Sequence, residues 1–116
     1  AWNALYKEYL GVDVPSDREG VLQDSHWSGG AFGYFPSYAL GSAYGVQLLE
    51  KMKETVDVNA CLEKGDFAPI NAWLEDKIWR FGSLYKPGDL FEKAAGAKFN
   101  PDYYVNYLTE KYSRKA

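Results

Sequence analysis

Along most of this chain, apolar side chains recur at spacings of three and four residues, and most of these runs are opened by a proline or closed by a glycine. That period puts the apolar residues on one face of a helix. Glycine takes the left-handed conformation of a helix end most easily, and proline fits a first helical turn. Trp2, Leu5, Tyr6, Tyr9 and Leu10 form the first stripe, with Gly11 as its stop. A long helix is expected from Pro36 to near Val56, its apolar face made by Tyr38, Leu40, Tyr44, Leu48, Leu49 and Met52. A short helix with Asp57 as its cap ends at Gly65. The run Phe67, Ile70, Trp73, Leu74, Lys77, Ile78 and Phe81 predicts another, capped by Asp66 and stopped by Gly82. A turn and a short helix lead to Gly96. Asn100 then caps a last helix with Pro101 at its first position and a stripe of Tyr103, Tyr104, Tyr107, Leu108 and Tyr112. The polar tail, 113–116, is expected to fray. No segment alternates as a strand does. The expected fold is therefore all-α, a bundle of about six helices forming a single domain over 1–116.

Composition narrows the function. With 116 residues, 47% hydrophobic and 25% charged, the chain is long enough for one small core and too apolar for disorder. The net charge of −3 is spread along the chain without a basic patch, which argues against nucleic acid. No apolar run approaches the roughly twenty residues of a membrane span. The start, AWNALYKEYLG, has no signal-peptide architecture. One cysteine, Cys61, permits no internal disulfide and fits a reducing compartment, so a cytoplasmic location is expected. The aromatic share of 17% is high, which implies a bulky core, an aromatic cleft, or a face buried in something larger. The chain opens at Ala1 and reads as starting partway along a helix, so a piece of a longer protein is expected.

Chemistry concentrates between Gly20 and Tyr38, GVLQDSHWSGGAFGYFPSY. This stretch holds the sole histidine, His26, beside Gln23 and Asp24, which can fix its tautomer. Gly29, Gly30 and Gly33 give a backbone that a substrate can approach. Tyr34 and Tyr38 follow at a spacing that lets the chain fold their hydroxyls back toward the imidazole. A histidine and a tyrosine aimed at one point would stabilise an oxyanion. Neither is a nucleophile, so this is half a site. Arg18, in the preceding loop, is either a solvated charge or a contact for a substrate carboxylate. One histidine is too few for a typical catalytic zinc site. Ser25, Ser28 and Ser37 lack a nucleophile-elbow setting, and Cys61 has no activating base near it in sequence.

The segment GVLQDSHW, Gly20 to Trp27, matches the pattern GxxQDxHW of the thermostable carboxypeptidase family of the carboxypeptidase Taq type. The resemblance continues through FGYFPSYALG to YVNYLTEKY and so covers essentially the whole chain. It implies a zinc metallocarboxypeptidase of which this chain is the C-terminal part. The family's HPF, DxRxT, HExxH and IRxxAD motifs are not in the chain, so the resemblance implies a zinc ion whose ligands lie elsewhere. A second, looser resemblance is to angiotensin-converting enzyme and the neurolysin-like oligopeptidases. These share a helical deep-cleft fold and set a histidine and a helix-opening tyrosine opposite the zinc. His26 and Tyr34 look similar to that pair, with hydrogen bonding to the substrate carbonyl and oxyanion as the implied role. Tyr38 is assigned to substrate binding, and Gln23, Asp24 and Arg18 to support or contact of the substrate.

Two readings follow from the sequence. In the first, the whole protein is a zinc-dependent carboxypeptidase acting on peptides, and this chain alone is inactive and holds no metal. Its partners are then the missing N-terminal region of the same polypeptide and a second copy in a homodimer. In the second, the chain is a non-catalytic helical interaction module that retains the carboxypeptidase-like fold. A hydrolase built on Cys61 or a serine is the weakest alternative.

Overall fold

A computed structural model describes residues 1–113, and among these it contains six α-helices and no strand. The fraying expected of the tail falls on 114–116, outside the described residues, while Ser113 is the last residue of a helix. No described helix is long and apolar enough to cross a membrane. The chain divides into two compact units, Ala1–Tyr38 and the residues from Ala39 onward.

The first unit opens with α1, Trp2–Leu10. Gly11 ends it at φ 68°, and its N–H donates to the Lys7 carbonyl. This is the left-handed cap that glycine allows without a Cβ penalty. Two 3₁₀ turns follow, Asp17–Glu19 and Val21–Gln23, joined at the buried Gly20. Gly20 is packed so tightly that a Cβ there would stand 2.5 Å from Val14 Cγ1 and 3.6 Å from Trp2 Nε1. The loop is thereby pinned against α1. Of the predicted stripe, only Trp2 and Tyr6 are half-buried, while Leu5, Tyr9 and Leu10 are exposed. The helix carries more apolar face than this unit covers.

The second unit takes in most of α2, Pro36–Lys53, then α3, Val58–Lys64, α4, Ala68–Lys77, α5, Pro87–Ala95, and α6, Asp102–Ser113. Its core is Met52, Val58 and Trp73, flanked by Leu48, Leu49, Val56, Ile70 and Leu74. A second cluster stacks Tyr44 on Phe91 at 4.4 Å, with Phe99 edge-on to Tyr44 at 4.9 Å. Asp57 caps α3 as expected, accepting from the Ala60 N–H at 3.0 Å. Asp66 accepts from the Ala68 N–H at the start of α4, also at 3.0 Å.

Three helix ends differ from the sequence reading. α2 stops at Lys53 rather than Val56, although the Val56 N–H still reaches the Met52 carbonyl in the following turn. α4 stops at Lys77, and Ile78 leaves the helical region at φ −128°, ψ −65°. The predicted continuation to Phe81 is a separate 3₁₀ turn, Trp79–Phe81, before Gly82. A 3₁₀ turn also aligns residues three apart, so Ile78 and Phe81 keep the helical spacing across a break in the helix. Finally, α6 begins at Asp102, one residue after Pro101. The Asn100 side chain accepts from the Asp102 N–H at 2.9 Å, as a cap should.

Candidate functional site

The site lies within the first unit and is built by one side chain, Asp24. Its Oδ1 accepts from the His26 backbone N–H at 2.8 Å and lies 2.7 Å from His26 Nδ1. The first contact is an Asx turn, which starts a tight run of turns. In that run the Gly29 N–H donates to the Ser25 carbonyl, the Gly30 N–H to Trp27, and the Ala31 N–H to His26. Gly30 and Gly33 sit at φ 75° and 74°, where other residues are strained. These two positions turn the chain back on itself. The start of α2 therefore returns to the imidazole it left a few residues earlier.

Three aromatic residues meet His26 there. The Tyr38 hydroxyl is 3.1 Å from Nε2. Tyr34 stacks on the ring at 5.8 Å and 23°, and Phe35 meets it edge-on at 4.8 Å. The Trp27 ring continues the cluster against Phe32 and Phe35. Asp24 is nearly enclosed, its side chain 11% exposed, while His26 is 29% exposed. Asp24 is therefore a support and His26 a group that a ligand can reach. A cavity of about 230 Å³ opens beside them, lined by Asp24, His26, Trp27, Ala31, Gly33, Tyr34, Phe35 and Pro36. Its walls are mainly apolar and aromatic, with the imidazole as a polar edge.

Of the six predicted site residues, Asp24, His26, Tyr34 and Tyr38 come together. Gln23 and Arg18 are held to each other instead: the Gln23 amide donates to the Arg18 carbonyl at 2.6 Å, bracing the two 3₁₀ turns. Both side chains are exposed, and neither bonds to His26 among the described residues. Phe35 and Ala31 were not singled out from sequence. Phe35 lies between two tyrosines and follows no period, and an alanine in a glycine-rich loop carries no chemical signal.

Among the described residues no set of side chains makes up a metal site. No group of three His, Cys, Asp or Glu that could hold an ion exists among the described residues. Both nitrogens of His26 are already bonded, one to Asp24 and the other to Tyr38.

Comparison with known proteins now decides the family. The family model of carboxypeptidase Taq (M32) metallopeptidases matches residues 1–112. The chain belongs to this family. It is 49% identical over 113 residues to carboxypeptidase 1 of Bacillus subtilis, which covers 97% of the chain and 23% of that relative. It is 40% identical over 112 residues to thermostable carboxypeptidase 1 of Pyrococcus furiosus, covering 96% of the chain and 22% of the relative. Among solved structures it resembles Trypanosoma cruzi metallocarboxypeptidase 1, with a TM-score of 0.89 at 40% identity over 97% of the chain and 24% of that structure. It also resembles an M32 carboxypeptidase from Deinococcus radiodurans R1, with a TM-score of 0.85 at 32% identity over 97% of the chain and 23% of that structure. The chain thus spans less than a quarter of the length of these relatives. Within the family, the motif of Gly20 to Trp27 has a physical reading: Gly20 permits the close packing, Gln23 braces the turn, Asp24 orders it, and His26 and Trp27 face the cavity.

Proposed function

We propose that this chain is the C-terminal part of a metallocarboxypeptidase that releases residues one at a time from peptide C-termini. In this reading it supplies side chains that bind and polarise the substrate. The metal, zinc in our reading, is held by residues outside the chain, and the 116 residues alone are inactive. One observation carries the proposal: in a chain of this family, a histidine ordered by a nearly enclosed carboxylate, two tyrosines and an apolar cavity meet at one point.

The chain's own chemistry follows from that grouping. Tyr34 has a hydroxyl that makes no hydrogen bond among the described residues, and it donates to the carbonyl oxygen of the scissile peptide. As negative charge grows on that oxygen the hydrogen bond strengthens, which is how a pre-positioned donor lowers a barrier. His26 stands beside it on the same wall, and the cavity seats an apolar side chain of the peptide while excluding water. Gln23 and Arg18 act through the turn they brace. Tyr9, Leu22 and Phe32 are each more than two-thirds exposed, as is Leu84 in the second unit. These apolar groups support covering by the remainder of the polypeptide and, in our reading, by a second copy in a homodimer. Cys61 is an unpaired, buried thiol, in keeping with the cytoplasmic location we propose.

The test uses the complete gene product and a blocked peptide, with released amino acids counted over time. Sequential release from the C-terminus, lost in His26→Ala with folding preserved by circular dichroism, supports the proposal. No release by the complete, metal-loaded product sinks it and leaves a helical interaction module in its place.

A further inference from the structure

Asp24, His26 and Tyr38 form one chain of hydrogen bonds, and its direction can be derived. The inner end is the nearly enclosed Asp24 carboxylate, which when ionised only accepts. A ring nitrogen 2.7 Å from Asp24 Oδ1 must therefore carry the proton. A neutral imidazole has one N–H and one lone pair, so Nε2 is left as an acceptor. The Tyr38 hydroxyl at 3.1 Å then donates to it. Nothing else competes for Asp24 among the described residues. Its Oδ1 is shared between the backbone and ring N–H of His26, and its Oδ2 is buried without a partner.

We infer that Asp24 locks His26 in the Nδ1–H tautomer and so makes Tyr38 a positioning residue, its hydroxyl donating to Nε2 in the resting site. Free histidine in water favours the opposite tautomer, so the arrangement is imposed by the fold. For the chemistry, which rests on the proposed hydrolytic reading, neutral His26 offers no hydrogen to a substrate oxygen. In that state Tyr34 is the donor. His26 joins it only after Nε2 takes up a proton from solvent, which reaches the partly exposed ring, at which point Nε2–H donates and the Tyr38 O–H is released from the ring. The two tyrosines thus differ in kind: Tyr34 touches substrate, and Tyr38 holds the histidine.

Nitrogen NMR of the imidazole tests this without any assay of activity. The complete gene product is labelled on histidine, and the His26 signals are assigned by their loss in His26→Gln. Spectra are recorded well above the usual histidine titration range. The expected result is a protonated Nδ1 and an acceptor-type Nε2. Asp24→Ala should return the ring toward the Nε2–H form. Tyr38→Phe should leave Nδ1 protonated and move only the Nε2 signal, as its donor is lost. A dominant Nε2–H form in the native protein overturns the inference whether or not any variant folds, and so does a tautomer insensitive to Asp24→Ala. A protein that showed the Nδ1–H form but released no amino acids would refute the carboxypeptidase reading and leave the tautomer standing.

Discussion

The Tyr34 ring lies over the His26 imidazole with planes inclined by 23°, whereas Tyr38 meets the same ring at 78°. One tyrosine packs on the face of the base, its hydroxyl making no hydrogen bond among the described residues. The other meets it edge-on, with its hydroxyl engaged at Nε2. Removing each hydroxyl should therefore have different consequences. Tyr34→Phe keeps the stacking and loses the donor, and on the proposed hydrolytic reading kcat of the complete gene product should fall by about 10²–10³-fold with KM little changed, the usual cost of losing an oxyanion donor. Tyr38→Phe should cost less. Steady-state kinetics of the two variants side by side decide the matter, and equal losses would argue against the separate roles.

Gly20 is the tightest point of the first unit. A Cβ there would come 2.5 Å from Val14 Cγ1 and 3.2 Å from the Ser16 carbonyl oxygen. The first contact is closer than real atoms approach, so Val14 or the backbone must move. Gly20→Ala should destabilise by about 1–3 kcal/mol, the range for overpacking. Chemical denaturation measures it. Because the turn that begins here carries Asp24, activity should fall as well, and loss of activity without loss of stability would contradict this packing account.

In the second unit, Gln47 does the work of a clasp. Its amide donates to the Lys98 carbonyl at 3.0 Å, and its Oε1 accepts from the Asn100 N–H at 2.9 Å. The side chain is buried, so water cannot replace it without rearrangement. Gln47→Leu, similar in size, leaves two backbone groups without partners. Each such group costs about 1–3 kcal/mol when it stays buried. The melting temperature should drop, and amide exchange at Asn100 should accelerate. Unchanged exchange there would show that the clasp is not what holds this segment.

Much of the fold was legible because local signals agreed. Gly11, Gly65 and Gly96 all adopt the left-handed conformation at helix ends, and Asp57 and Asn100 both cap. The break at Ile78 was hidden because three-residue spacing belongs to both helix types. The exposure of α6, which has no buried residue, was hidden as well. An aromatic stripe says that a face is apolar and cannot say what covers it. At the site, the cluster of His26 with Asp24 was legible from adjacency. Gln23 lies only one residue further from His26 in sequence, yet its side chain turns back to the Arg18 carbonyl, a choice made by the 3₁₀ geometry and not by spacing. Phe35 and Ala31 are defined only by the cavity they line.

That cavity sets the last prediction. Ala31 is half-buried on its wall, and its N–H donates to the His26 carbonyl, so the backbone there is fixed while the side chain can be enlarged. Ala31→Leu places three further carbons into a space of about 230 Å³ and removes no atom of the hydrogen-bond chain through His26. If an apolar side chain of the substrate occupies this space, substrates should be affected according to size. Each methylene that no longer fits a pocket is worth about 1–3 kcal/mol, roughly 10–200-fold. For peptides carrying phenylalanine or leucine at the residue seated here, kcat/KM should fall at least about tenfold relative to peptides carrying alanine. The loss should sit mainly in KM, since the donors are unmoved. Competition between matched bulky and small peptides, scanned at the last two positions, reads this ratio directly and identifies the residue involved. An equal loss for all peptides at both positions would mean that the cavity is only a packing defect beside the histidine.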